Sequence, residues 1–144
     1  MLDKFRVLIV EDNADLLLLY SKTMQTLGLE IDPVTSLANA RELVTRRHYD
    51  LIICDMRLGG DHGTELLRYL KAKEIEGAEV IIVSGEDHYR DACRQIGFDL
   101  FLSKPVSMRE LKTLVTRLLS PRLGVDFSQP AAVTASSTSL PRVI

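Results

Sequence analysis

The chain has no tryptophan, only two cysteines and an aromatic content of 6%, and its acidic and basic residues nearly cancel. Each shortage excludes something. Cys54 and Cys93 show neither the paired spacing of a zinc site nor the framework of a disulfide-stapled secreted domain, so both are expected to be reduced, buried small residues. Eighteen Lys+Arg against twenty Asp+Glu leave a formal charge of -2, which supplies no global field toward nucleic acid or an anionic membrane. No apolar run approaches the ~20 residues that span a bilayer. The opening MLDKFRVLIVED lacks the long apolar segment and small-residue cleavage site of a secretory signal, so the chain is expected to stay in the cytoplasm.

What is present suits one globular domain. A chain of 144 residues, 46% hydrophobic and 26% charged, is long enough to build a substantial core. Four short apolar runs stand out: Val7 to Val10, Leu51 to Cys54, Val80 to Val83 and Leu100 to Leu102. They are too short for helices and mostly unbroken by polar residues, as parallel strands buried on both faces require. A weaker strand is expected within Glu30 to Thr35. Between the runs lie helix-period stretches, clearest at Tyr89, Ala92, Cys93 and Ile96 and at Leu111, Leu114, Val115 and Leu118. Further helices are expected within Ala14 to Leu27, Leu37 to Arg47 and Thr64 to Lys73. The result is five strand–helix pairs, an α/β doubly wound fold around a five-stranded parallel sheet. Gly28 and Gly97 stand where left-handed residues end helices, and Ser107 where a hydroxyl caps the last one.

After Ser120 the composition shifts. Residues 121–144 hold three of the five prolines, much Ser, Thr and Ala, and only Arg122, Asp126 and Arg142 as charges. The domain is therefore expected over 1–120, with 121–144 a flexible tail that cannot build a core alone.

In an open parallel sheet, ligands bind beyond the carboxyl ends of the strands. The first run ends in Glu11-Asp12, the third strand in Asp55, the fourth in Ser84 and the fifth in Ser103-Lys104-Pro105. Three carboxylates gathered at one edge repel one another unless a divalent cation keeps them ionised. Magnesium suits the set, since it takes oxygen ligands and leaves positions for water and a phosphate oxygen. Asp12 and Asp55 are the expected ligands, with Glu11 helping directly or through water. Asp55 can also attack a phosphoryl group without a base, with Lys104 offsetting charge on the transferring oxygens and Ser84 donating a hydrogen bond.

These residues resemble the receiver domain of two-component response regulators. The likeness runs through Val7-Leu8-Ile9-Val10-Glu11-Asp12, Leu51-Ile52-Ile53-Cys54-Asp55-Met56-Arg57-Leu58, Val80-Ile81-Ile82-Val83-Ser84-Gly85 and Phe101-Leu102-Ser103-Lys104-Pro105, and covers about 1–120. It implies a flavodoxin-like, chemotaxis-regulator-like (βα)5 fold with strand order 2-1-3-4-5. By this resemblance Glu11 and Asp12 are the acidic metal pair, Asp55 the phosphoacceptor, Ser84 the switch hydroxyl, Lys104 the phosphate-binding lysine and Phe101 the switch aromatic. The backbone carbonyl of Arg57 matches the remaining protein ligand to the metal, and Lys104-Pro105 the family's cis peptide. The implied function is a phosphorelay switch that takes a phosphoryl group from a histidine kinase or phosphotransfer protein on Asp55. Output would pass to another protein or through phosphorylation-linked dimerisation, since no basic recognition helix stands after Ser120 for direct nucleic-acid binding.

The sequence also departs from the family. After Asp55, Leu58-Gly59-Gly60-Asp61-His62-Gly63 replaces a Leu-Pro-Gly turn, and the glycines are expected to loosen that loop. His48, His62 and His88 read as solvated residues without a catalytic role. Arg57 and Glu86 match positions flanking the phosphate; their opposite charges suggest a pair across the mouth of the site that slows acyl phosphate hydrolysis. On the first helix, inward Leu16, Leu19 and Tyr20 would leave Leu17 and Leu18 partly exposed, as a patch for a kinase or phosphotransfer bundle.

Three other readings compete. A magnesium phosphohydrolase with an aspartyl nucleophile, resembling the haloacid dehalogenase family, would carry a second Asp two residues after the nucleophile, where this chain has Arg57. A flavodoxin-like electron carrier would need a Ser/Thr/Gly-rich phosphate loop, where Glu11-Asp12-Asn13 would repel a flavin phosphate. An unphosphorylated receiver-like scaffold would have no use for the full acid, hydroxyl and lysine set. None of these displaces the non-enzymatic switch as the leading expectation.

Overall fold

Runs of Val, Ile and Leu become the strands of one parallel sheet in the computed structural model, which describes residues 2–123. The strands are β1 (Arg6–Val10), β2 (Glu30–Val34), β3 (Leu51–Asp55), β4 (Glu79–Ser84) and β5 (Phe101–Ser103), in spatial order 2-1-3-4-5. All neighbours pair in parallel. The helices are α1 (Ala14–Gln25), α2 (Leu37–Arg46), α3 (Thr64–Ala72), α4 (His88–Ile96) and α5 (Met108–Leu119). Strands and helices thus alternate as the apolar runs and helix periods require.

Alternation along the strands divides the core in two. Leu8, Val10, Ile52, Cys54 and Ile82 pack with α2, α3 and α4, whereas Val7, Ile9, Ile53, Ile81 and Val83 pack with α1 and α5. The central strands are buried on both faces, which is why they read as unbroken apolar runs. Pro33 falls in β2, an edge strand, where a missing amide is tolerated. Helix starts follow local chemistry: Asn13, Ser36 and Ser107 accept hydrogen bonds from the amides of Leu16, Asn39 and Glu110. Cys54 and Cys93 are buried and free, as expected.

The face of α1 differs from the expected one. Leu16 and Leu17 pack partly against the core beside Tyr20 and Met24, while Leu18 and Leu19 are 55% and 45% exposed. Counting 100° per residue from Tyr20, Leu17 lies on the same side as Met24, and Leu19 falls near the border opposite it. The outward pair is therefore Leu18 and Leu19, with Leu17 drawn inward.

The segment after Asp55 is also more ordered than its glycines suggest. Arg57–Leu58 pairs antiparallel with Asp61–His62 in a short ribbon, and Gly59 takes φ +64 at the first loop position. A tight hairpin turn needs that positive φ, which glycine adopts without steric cost.

A 3-10 turn, Ser120–Arg122, follows α5, and Arg122 reaches Asp50 at 3.5 Å and Glu79 at 3.3 Å at the amino edge of the sheet. The expected tail 121–144 lies outside the described residues from position 124 onward. Among the described residues, no helix is long and apolar enough to cross a membrane.

Candidate functional site

Sheet register places the site. Val10 stands opposite Cys54, Asp55 opposite Val83 and Ser84 opposite Ser103. Glu11 is therefore level with Asp55 at the carboxyl edge, Ser84 stands one residue further along and Lys104 one further still, a stepped line across four strands. Residues distant in sequence meet because parallel strands end together.

Carboxylate oxygens of Glu11, Asp12 and Asp55 lie within 4.8 Å of one another. Glu11 and Asp55 are buried, and Asp12 is exposed. Lys104 Nζ stands 3.2 Å from Glu11 Oε1 and 3.2 Å from Asp55 Oδ2, so one ammonium serves both buried acids. Burial pushes the Glu11 carboxyl up from 4.5 to about 7, helped by the Asp55 charge and opposed by the Asn13 amide and Lys104. Burial alone would lower the Lys104 pKa, but the Asp55 and Glu11 carboxylates outweigh it and raise it. One cation does not balance three acids. The donor set is all oxygen, so it fits an additional hard cation. Asp12 also accepts a hydrogen bond from the Gly59 amide at 2.8 Å, tying the ribbon tip to the β1–α1 loop.

Ser84 is buried and occupied with its own turn, its hydroxyl accepting from the Glu86 amide at 3.0 Å and donating to the Glu86 carbonyl at 3.3 Å. Phe101 is half-buried, and the Arg90 guanidinium lies over its ring at 4.3 Å from the centroid. Arg57 and Glu86 meet at 3.1 Å, with both side chains partly in solvent. The Lys104-Pro105 peptide is cis. Glu11, Asp12, Asp55, Ser84, Lys104, Arg57 and Glu86 gather at this edge or its rim, whereas Phe101 lies two residues back along β5, level with Ile82, and the helix leucines lie apart.

Two histidines are less isolated than their sequence context suggests. His62 is exposed, yet its Nδ1 lies 2.6 Å from the Tyr89 hydroxyl. His88 opens α4, lies 3.5 Å from Glu86 and stacks on Tyr89 with ring centroids 4.3 Å apart. His48 pairs with Asp50 at 3.5 Å, away from the site. Exposure and engagement coexist because the polar atoms meet at the rim of the cleft.

Three neighbours were not legible as site residues. Tyr20, which reads as a core residue of α1, lies close enough for Lys104, Glu11 and Asp55 to act on its phenol, whose pKa burial raises. Tyr89 reads as part of the α4 core stripe, but its hydroxyl emerges beside the ribbon. Gly63 has no side chain because the space is taken: an added Cβ would overlap the Asp55 carbonyl and come within 2.6 Å of the Met56 methyl. Only the glycine-rich spelling of the segment hinted at that approach.

The arrangement can hold a hard cation, present a carboxylate nucleophile and offset anionic charge with an ammonium. The family model described as the response regulator receiver domain matches residues 7–116. The response regulator protein PilR of Pseudomonas aeruginosa is 31% identical over 119 residues, covering 81% of this chain and 26% of PilR. Sensor protein EvgS of Escherichia coli K12 is 29% identical over 120 residues, covering 81% of this chain and 10% of EvgS. The chain thus spans about a quarter or less of these curated relatives. Among solved structures, a signal receiver domain from Vibrio parahaemolyticus matches with TM-score 0.74 and 30% identity, over 81% of this chain and 91% of that one.

Proposed function

The chain belongs to the response regulator receiver domain family, and from that premise we propose that it is a phosphorylation-controlled switch whose acceptor is Asp55. One observation carries the reading: Lys104 reaches both Asp55 and Glu11 in a cleft where three carboxylates converge.

Asp55 would act as follows. A carboxylate oxygen attacks the phosphorus of a phosphohistidine; the P–N bond breaks and its electron pair leaves with the imidazole nitrogen. The product is an aspartyl phosphate. Water later attacks the phosphorus, releasing inorganic phosphate and restoring the carboxylate. Lys104 stabilises the charge that develops on the transferring oxygens. Glu11, Asp12, Asp55 and the Arg57 backbone carbonyl are the groups to hold magnesium, which when bound supplies positive charge against those same oxygens. Arg57 and Glu86 close over the mouth and slow this hydrolysis. In this reading the chain assists its own phosphorylation and dephosphorylation and turns over no external substrate. Arg57 also stands where a phosphohydrolase of the aspartyl class would need its second acid, which argues against that alternative.

Switching follows from the contacts that phosphorylation would have to rearrange. The Ser84 hydroxyl exchanges its Glu86 partners for the new oxygens, and Phe101 turns into the space this opens, leaving the Arg90 guanidinium. The surface formed by α4, β5 and α5 then presents a different face to a downstream protein or a second copy. A histidine kinase or phosphotransfer protein is the expected donor, a view supported by the relative named as a sensor protein. Its docking patch would include the exposed Leu18 and Leu19. If Leu18→Ser with Leu19→Ser left transfer from the donor as fast as in the wild type, that patch would be eliminated.

The reading is tested by incubating the protein with magnesium and acetyl phosphate and measuring intact mass. A phosphoryl adduct on the wild type and none on Asp55→Asn is expected; equal adducts on both would move the acceptor elsewhere.

A further inference from the structure

Both arms of the ribbon beside Asp55 converge on one phenol. Arg57 and His62 are directly opposed across the ribbon. His62 Nδ1 lies 2.6 Å from the Tyr89 hydroxyl, and the Arg57 side chain lies near enough to act on the same group. Arginine carries no acceptor, so the phenol can only accept from Arg57, while the His62 tautomer sets whether the hydroxyl donates to Nδ1 or accepts from it.

The ring behind that hydroxyl is fixed. Tyr89 is 5% exposed and packs in the cluster that contains Cys54, Met56 and Cys93. The ribbon is held at its other points by the Gly59 contact to Asp12 and by the Arg57–Glu86 pair. Tyr89 lies in the first turn of α4, and the next residue, Arg90, lies over Phe101. Consecutive residues of one helical turn therefore hold the acceptor's ribbon and the aromatic of β5.

We propose that Tyr89 is a positioning residue that couples the ribbon at the phosphoacceptor to α4, and through Arg90 to Phe101. The proposal rests on the reading of Asp55 as acceptor. A displacement of the ribbon on phosphoryl capture pulls on the Tyr89 hydroxyl, and the packed ring passes it to the helix. Two sites linked in this way share a coupling free energy, which deletion of the connecting contact removes.

Beryllofluoride with magnesium, a stable phosphoryl mimic, provides the test, read by amide NMR. In the wild type, resonances around Asp55, Ser84 and Lys104 are expected to shift, together with those of α4 and Phe101. Tyr89→Phe removes one oxygen and keeps the buried ring. It should preserve the shifts near Asp55 while moving the α4 equilibrium by about fivefold toward the unbound position, the effect expected of one hydrogen bond. His62→Ala, which leaves Tyr89 in place, should weaken the same α4 response. A purely structural role would lower the melting temperature and leave the pattern of shifts intact. Undiminished α4 and Phe101 responses in both variants would overturn the coupling. No shift around Asp55 in the wild type would instead overturn the reading of the acceptor itself.

Discussion

Lys104 Nζ and the Asp55 carboxylate lie 3.2 Å apart across 49 positions of sequence. The lysine is a quarter exposed and Asp55 is buried, so their interaction is less screened than a surface ion pair. Lys104→Ala leaves two buried acids without their shared counter-charge. It should destabilise the fold by about 2 kcal/mol at pH 8, between the values for exposed and fully buried pairs. At pH 5 the cost should shrink, because Glu11 then takes up a proton. Urea unfolding at the two pH values checks both statements.

Glu11 makes the stability of the chelator-treated protein depend on pH. Its carboxyl is raised from 4.5 to about 7, chiefly by burial, so between those values the folded protein keeps a proton that the unfolded chain has released. The favourable contribution is complete below the lower value and is lost as pH climbs through the upper one, on the order of 3 kcal/mol in all. Thermal melts from pH 4 to 8 should show that fall, and Glu11→Gln should flatten it.

The Arg57–Glu86 pair separates stability from function. Its side chains are substantially exposed, so Arg57→Ala should change unfolding free energy by no more than about 1 kcal/mol. The aspartyl phosphate should nevertheless decay faster in the variant, measured by loss of the adduct after the phosphodonor is removed. An unchanged lifetime would remove Arg57 from the gate.

Gly63 tests the close approach beneath the acceptor. Gly63→Ala drives a methyl into the Asp55 carbonyl and the Met56 side chain, and should cost about 1–3 kcal/mol, as other overpacked sites do. Gly60→Ala, where an added Cβ meets nothing within 4 Å, is the matched control and should be near neutral in urea unfolding.

The parts of the fold legible in the sequence were those with a local cause. Strands buried on both faces must be apolar throughout, and their carboxyl ends must line up, so Glu11, Asp55, Ser84 and Lys104 could be gathered from their positions alone. Four consecutive leucines carry no period, however, and the inward face of α1 was set by Tyr20 and Met24 instead. The ribbon was hidden for a different reason. Its order comes from Asp12 on one segment and Glu86 and Tyr89 on another, both distant in sequence, whereas its own glycines argue for looseness. Arg122 is a similar case: composition places it in the tail, but Asp50 and Glu79 tie it to the sheet.

The central claim concerns a single atom group, the carboxylate of Asp55. Treating the acetyl phosphate-modified protein with borohydride reduces an aspartyl phosphate to homoserine, and peptide sequencing by mass spectrometry locates the converted residue. Homoserine at position 55 is the expected result. Conversion at another position, or none in protein that carries a phosphoryl adduct, would contradict it.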